Sequence, residues 1–166
     1  MKICISGHRP LKKYFKNPAR EELLFIESLD AYLQTIEKEY TFILGGACGV
    51  DHWGAKYCLA NNIPFELHVP FPLRVHTKGW LKEDKFFLLE QHKKATKVKV
   101  LSELYNTQAY QRRNESMVDA SDLLLTWYTH SKSGSGNCVR YAKKTNIKIV
   151  HLKKWRKGQS LISPLV

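Results

Sequence analysis

This sequence lacks most features that would announce a metal, a redox couple or a membrane. Its four cysteines, Cys4, Cys48, Cys58 and Cys138, are widely spaced and form no CxxC pair, so neither a zinc ribbon nor a secreted disulfide framework is indicated. The seven histidines offer no HxH or HExxH spacing, and no metal or other cofactor is expected. No apolar run is long enough to span a bilayer, and the N-terminus has no signal-peptide pattern; a cytoplasmic protein with no membrane partner is expected. Two nucleotide signatures are missing as well. The first strand runs into Gly7-His8-Arg9-Pro10 where a GxGxxG fingerprint would stand, and GxxxxGK[ST] occurs nowhere, which argues against NAD, FAD and a P-loop ATP mechanism. Acidic residues are also scarce, 15 against 27 lysines and arginines, leaving a net charge of +12. That imbalance favours polyanions, phosphorylated small molecules or an anionic surface as partners, although the cations are scattered over every predicted helix.

What is present reads as one α/β domain. With 166 residues, 43% of them hydrophobic, the chain can bury one sizeable core and is too short for two comfortable ones. Short apolar segments bounded by turn residues predict strands over residues 2–6, 41–44, 64–69, 97–101, 122–128 and 147–152. Between them, apolar residues at helical spacing predict helices over about 18–39, 50–61 and 80–95, one carrying Arg112 to Met117, and one from Asn137. Residues 73–79 read as a looser connection. The domain is expected to cover residues 1–152, followed by a basic, loosely held tail over 153–166. Strand and helix in alternation imply a doubly wound, mostly parallel sheet flanked by helices.

Three glycine-bearing turns follow predicted strands: Ser6-Gly7-His8-Arg9, Gly45-Gly46-Ala47-Cys48-Gly49, and Ser131 to Asn137 with Ser133, Gly134, Ser135 and Gly136. In parallel sheets ligands collect beyond the carboxyl ends of the strands. A helix starting beside the last turn would point unpaired N–H groups and its positive dipole end at an anion. Arg9 can fork onto a phosphate, and His8 can donate to a phosphate or ribose oxygen or act as an acid. Asn114 offers a donor and an acceptor to a base or ribose, or ties a neighbouring loop. Trp127 can stack on a base or join the core. Three carboxylates are candidates for chemistry: Asp51 beside the second turn, and Asp119 and Asp122 flanking the entry to the fifth strand. Each has a plain structural alternative, a helix cap for Asp51, a turn for Asp122, and a pairing with Arg112 or Arg113 for Asp119.

The stretches ISGHRP, GGACGVDHWGAKYC, RRNESMVDASDLLLTWY and SGSGNCVRYAKK, in that order over nearly the whole chain, resemble the SLOG superfamily and its YpsA-like branch. The resemblance implies a Rossmann-like fold with a pocket for a nucleotide or nucleotide derivative, and self-association as in related proteins. The middle stretch is similar to the glycine-rich segment of the DNA-processing protein A family, which binds single-stranded DNA. Lonely Guy phosphoribohydrolases, the enzymatic relatives, carry PGGxGTxxE. That motif places Gly134 and Gly136 on two of its glycines, Asn137 on the threonine and Arg140 on the catalytic glutamate. Arginine cannot serve as a general base at neutral pH, so that mechanism does not carry over. Two classes of function remain: a pocket that binds, sequesters or hydrolyses a nucleotide-like ligand, and a nucleic-acid-binding module.

Overall fold

The computed structural model describes residues 1–129 and 132–155; Ser131 of the third glycine turn and residues 156–166 of the basic tail fall outside the described residues. Among the described residues six strands form one sheet: β1 (Lys2–Gly7), β2 (Thr41–Leu44), β3 (Phe65–Val69), β4 (Lys97–Val100), β5 (Leu123–Trp127) and β6 (Lys148–His151). Its order is β4-β3-β2-β1-β5-β6, and every neighbouring pair is parallel. Among the described residues six helices accompany it: α1 (Pro18–Leu33), α2 (Val50–Ala60), α3 (Leu73–His76), α4 (Lys82–Lys94), α5 (Gln108–Asp119) and α6 (Gly134–Lys144). This is the doubly wound, Rossmann-like α/β architecture.

Strand periodicity sorts the core into two layers. Ile3 and Ile5 of β1, Phe42 and Leu44 of β2, and Leu123, Leu125 and Trp127 of β5 pack with Phe25 and Leu29 of α1 and with Val50, Trp53 and Ala55 of α2. The intervening residues Cys4, Ile43 and Leu124 face Met117 and Val118 of α5 and Cys138, Val139 and Ala142 of α6. Both faces are therefore covered, which explains why these strands read as unbroken apolar runs. The lysines of β4 alternate with valines because β4 is an edge strand, and all four of its residues are exposed.

From β1 the chain steps outward through β2 and β3 to β4, then returns to place β5 on the other side of β1. The connections after β1 and β5 thus diverge to opposite faces, leaving a crevice at the carboxyl ends of those two strands. Everything in the site below follows from that switch.

Some boundaries differ from the sequence expectation for local reasons. Asn17 caps α1 through its side chain, accepting from the Arg20 N–H at 3.1 Å, with Pro18 in the first turn. The helix stops at Leu33, six residues early, as Thr35 and Ile36 N–H groups bond three residues back to Tyr32 and Leu33. Residues 73–76, expected to be loose, form the short α3 behind Pro72. Gly79, at φ +79°, then breaks the chain before α4. The first tail residues are docked: Lys153 pairs with Glu21 at 3.1 Å, and Trp155 packs edge-on against Tyr32. Among the described residues no helix is long and apolar enough to cross a membrane.

Candidate ligand site

A cavity of about 460 Å³ opens at the switch point, within the size range of small-molecule sites. Ser6, Gly7, His8 and Arg9 supply one wall from the end of β1, Leu11, Lys13 and Tyr14 another, and Ala47 and Asp51 a third. Tyr110, Arg113, Asn114 and Met117 come from α5, and Ser133, Gly134 and Ser135 from the start of α6. The first and third glycine turns meet here directly. The second contributes Ala47, while Gly45, Gly46 and Gly49 stand behind the wall.

The glycines behind the wall shape it. Gly49 has φ +89°, and a Cβ there would collide with the His8 carbonyl; the turn between β2 and α2 can press against the end of β1 only without a side chain. A Cβ on Gly45 would collide with the Arg113 guanidinium, whose Nη1 donates to the Gly45 carbonyl at 2.5 Å. The Gly46 carbonyl lies 3.2 Å from Nε2 of buried His76, and burial together with Arg113 pushes that imidazole down to about 3.

Asp51 is 7% exposed, and burial raises its carboxyl pKa while Arg113 and the Ala47 N–H oppose the rise. Its Oδ2 accepts from Ala47 N at 3.1 Å and lies 3.7 Å from Arg113 Nη1. The residue sits in the first turn of α2 behind Gly49, which holds the cap position, and so braces the second turn from inside. The sequence alternative of an Asp119 pairing with Arg112 or Arg113 gives way to other partners: Arg113 pairs with Asp51, and Arg112 donates to Asn106 at 3.4 Å. Asp119 instead accepts from the Tyr141 hydroxyl at 2.9 Å, and Asp122 accepts from the Lys2 N–H at 2.7 Å. Both lie outside the cavity, because α5 ends and β5 begins at the amino-terminal edge of the sheet.

Helix α6 begins three residues before the expected Asn137. Ser133 is its N-cap and accepts from Gly136 N at 3.1 Å, so the Ser-Gly-Ser-Gly stretch is mostly the first helical turn and not a loop. The N–H groups of Gly134 and Ser135 have no acceptor within the helix, and both residues line the cavity. Asn114 ties this turn to α5: its Nδ2 donates to the Gly134 carbonyl at 3.1 Å while its Oδ1 accepts from Arg113 Nε at 3.0 Å. Gly136 and Asn137 are outside the lining, and the Arg140 guanidinium donates to the Asn137 side chain on the exposed face of the helix.

His8 is buried, stacked on Tyr14 with centroids 4.0 Å apart and planes 7° from parallel. The Thr129 N–H donates to its Nε2 at 2.8 Å, so a neutral ring carries its proton on Nδ1. That bond commits Nε2 to acceptance and leaves Nδ1 as the ring's donor. Trp127 takes the core alternative. It shares the strand face of Leu123 and Leu125, packs against Phe25, and donates from Nε1 to Glu21 at 2.9 Å. Sequence reasoning missed Lys13, Tyr14, Tyr110 and the cavity role of Arg113. The signal for part of this was available: Tyr110, Arg113, Asn114 and Met117 recur at i, i+3, i+4 and i+7, one face of a helix.

The fold and this switch-point cavity define a Rossmann-like domain whose candidate site is assembled from three post-strand turns and α5. A family model described as the YspA SLOG family matches residues 3–154, and the chain belongs to that family. It is 30% identical over 128 residues, 68% of this chain and 75% of the relative, to the uncharacterized SPbeta prophage-derived protein YoqJ of Bacillus subtilis strain 168. Two solved structures share the fold. DNA processing protein A from Streptococcus pneumoniae superposes with a TM-score of 0.63 at 16% identity, covering 89% of this chain and 48% of that one. DNA processing protein A from Helicobacter pylori, described for its single-stranded DNA binding mode, gives a TM-score of 0.61 at 18% identity, covering 90% and 63%. This chain therefore spans about half of the first and under two thirds of the second.

Proposed function

We propose that this protein binds a nucleotide or nucleotide-derived small molecule in the switch-point cavity, as a sensor or sequestering protein or as a hydrolase of that ligand. The observation that carries the reading is convergence. The amino end of α6 and the cations Arg9, Lys13 and Arg113 border the same cavity, beside one buried carboxylate, Asp51. A phosphate against Gly134 and Ser135 would receive backbone N–H groups and the positive end of a helix dipole, with the arginines adding forked donors. Asp51 is then placed to accept from a ribose hydroxyl. It is also the one candidate carboxylate of the three that reaches the cavity, so any hydrolysis is assigned to it and not to Asp119 or Asp122. Arg140 lies on the outer face of α6, which leaves the Lonely Guy type of glutamate chemistry without a counterpart here.

A single-stranded nucleic acid is the second reading, favoured by the net charge of +12 and by the DNA-processing neighbours. Salt separates the two, because a polynucleotide displaces several counterions and a pocket ligand few. Thermal-shift screening with nucleotides, ADP-ribose derivatives and single-stranded oligonucleotides, followed by product analysis, tests both. Gly134→Leu is the informative variant: among the described residues, no atom beyond its chain neighbours and its own helix backbone lies within 4 Å of a Cβ built there, yet the position lines the cavity. Its unfolding midpoint should stay near that of the parent protein while nucleotide affinity falls by about tenfold or more, a loss of about 1.4 kcal/mol. Unchanged affinity, or tight salt-sensitive oligonucleotide binding with no nucleotide shift, rejects the pocket reading.

A further inference from the structure

We propose that Cys48, His52 and Asp84 form a binding site for a divalent transition-metal ion of the Zn²⁺ class, held through one thiolate, one imidazole nitrogen and one carboxylate oxygen. One ligand atom from each residue lies within 4.8 Å of the other two. A tetrahedral ion with Zn–N and Zn–O bonds of about 2.1 Å holds those two atoms about 3.4 Å apart. His52 Nδ1 and Asp84 Oδ1 are 3.8 Å apart, too long for a hydrogen bond and a few tenths of an ångström from that spacing.

The imidazole is positioned by packing. His52 is 4% exposed, and its ring sits edge-on to Phe87 at 5.1 Å and to Trp80 at 5.9 Å. Its Nε2 is buried without a hydrogen-bond partner, so no polar contact at that nitrogen dictates the ring's orientation. Cys48 is half-buried and Asp84 35% exposed at its side chain, which leaves an ion a route in from solvent.

Charge and softness select the ion. A thiolate and a carboxylate together neutralise a 2+ ion, and the sulfur favours Zn²⁺ over Mg²⁺ or Ca²⁺. The Cys48 thiol releases its proton to solvent as the metal–sulfur bond forms. Three protein ligands leave a fourth position open, the arrangement of an exchangeable site. The site joins the second glycine turn and the start of α2 to α4. It adjoins the cavity, since Ala47 and Asp51 on either side of Cys48 both line it, but it does not depend on what the cavity binds.

The test uses the full chain, reduced and stripped by a chelator, titrated with Co²⁺ and then with Zn²⁺ against a chromophoric chelator. One Co²⁺ per chain should bind with visible d–d bands of tetrahedral strength and a near-ultraviolet thiolate-to-cobalt charge-transfer band, which Zn²⁺ abolishes. Cys48→Ser should lose the charge-transfer band. Asp84→Asn, on the more exposed side of the site, should keep the fold by circular dichroism and weaken Zn²⁺ binding by more than about tenfold, the lower bound for even an outer-sphere partner. No charge-transfer band, a band that persists in Cys48→Ser, or unchanged affinity in folded Asp84→Asn overturns the proposal.

Discussion

Replacing Arg113 by alanine is expected to cost about 3 kcal/mol or more of folding stability, the range for removing one partner of a buried ion pair. Arg113 and Asp51 have side chains only 11% and 9% exposed, so neither is relieved by solvent. The variant strands the Asp51 carboxylate and also deprives the Gly45 carbonyl of its 2.5 Å donor. Burial already raises the Asp51 pKa, and Arg113 is the largest opposing influence. Without it the folded-state pKa climbs further above the unfolded value. The folded form then holds a proton that the unfolded form releases, so the variant should lose stability as pH rises through that window. Asp51→Asn in the Arg113→Ala background should recover part of the loss and flatten this pH dependence. Urea unfolding of the two single variants and the double variant measures the coupling; an Arg113→Ala cost within about 0.5 kcal/mol would place the pair among ordinary surface contacts.

Acid should unfold the protein in a window set by its buried histidines. His76 is 5% exposed, and its pKa falls from 6.5 to about 3 through burial, with Arg113 adding repulsion. Burial also lowers His68, His92 and His151. For a histidine whose folded pKa is depressed, the unfolded chain takes up the proton first, so its stabilising contribution is present above 6.5 and is lost as pH falls toward the folded value. Well below the unfolded pKa each pH unit costs about 1.4 kcal/mol per such group, and His76 alone therefore removes about 2 kcal/mol between pH 6.5 and 4.5. That is a large fraction of a domain's net stability. His76→Gln keeps a donor for the Gly46 carbonyl and should reduce the acid loss by that amount in urea unfolding at the two pH values. Equal stability at pH 7 and pH 4.5 in the parent protein would contradict the buried, neutral state of this ring.

The strand sequence was legible because both sheet faces are buried: Ile3-Cys4-Ile5, Phe42-Ile43-Leu44 and Leu123-Leu124-Leu125 read as continuous apolar runs between turn residues. The same burial hid which face each residue takes. Trp127 could not be assigned to core or ligand until its register with β1 put it on the α1 side. Helix starts were less legible. Glycine and serine have modest helix propensity, so Gly134-Ser135-Gly136 read as loop, and only the Ser133 cap reveals that the helix has already begun. Long-range pairs were the least legible of all. Arg113 with Asp51, and Asp84 with Cys48 and His52, join residues distant along the chain, and no spacing rule links them; the crossovers of the sheet bring them together. The three glycine turns share one rim for a reason that survives any ligand assignment: in a parallel sheet, every post-strand turn emerges at the same edge.

The cavity between β1, β5 and the start of α6 is the proposed place where a nucleotide is held. Amide NMR shifts, recorded while the nucleotide with the largest thermal shift is titrated into the full chain at constant salt, test this most directly. Saturable changes concentrated at Gly7, Ala47, Gly134 and Ser135 are the predicted result. Saturable changes on the β4 edge or the α1 face, with those four amides unmoved, would contradict it.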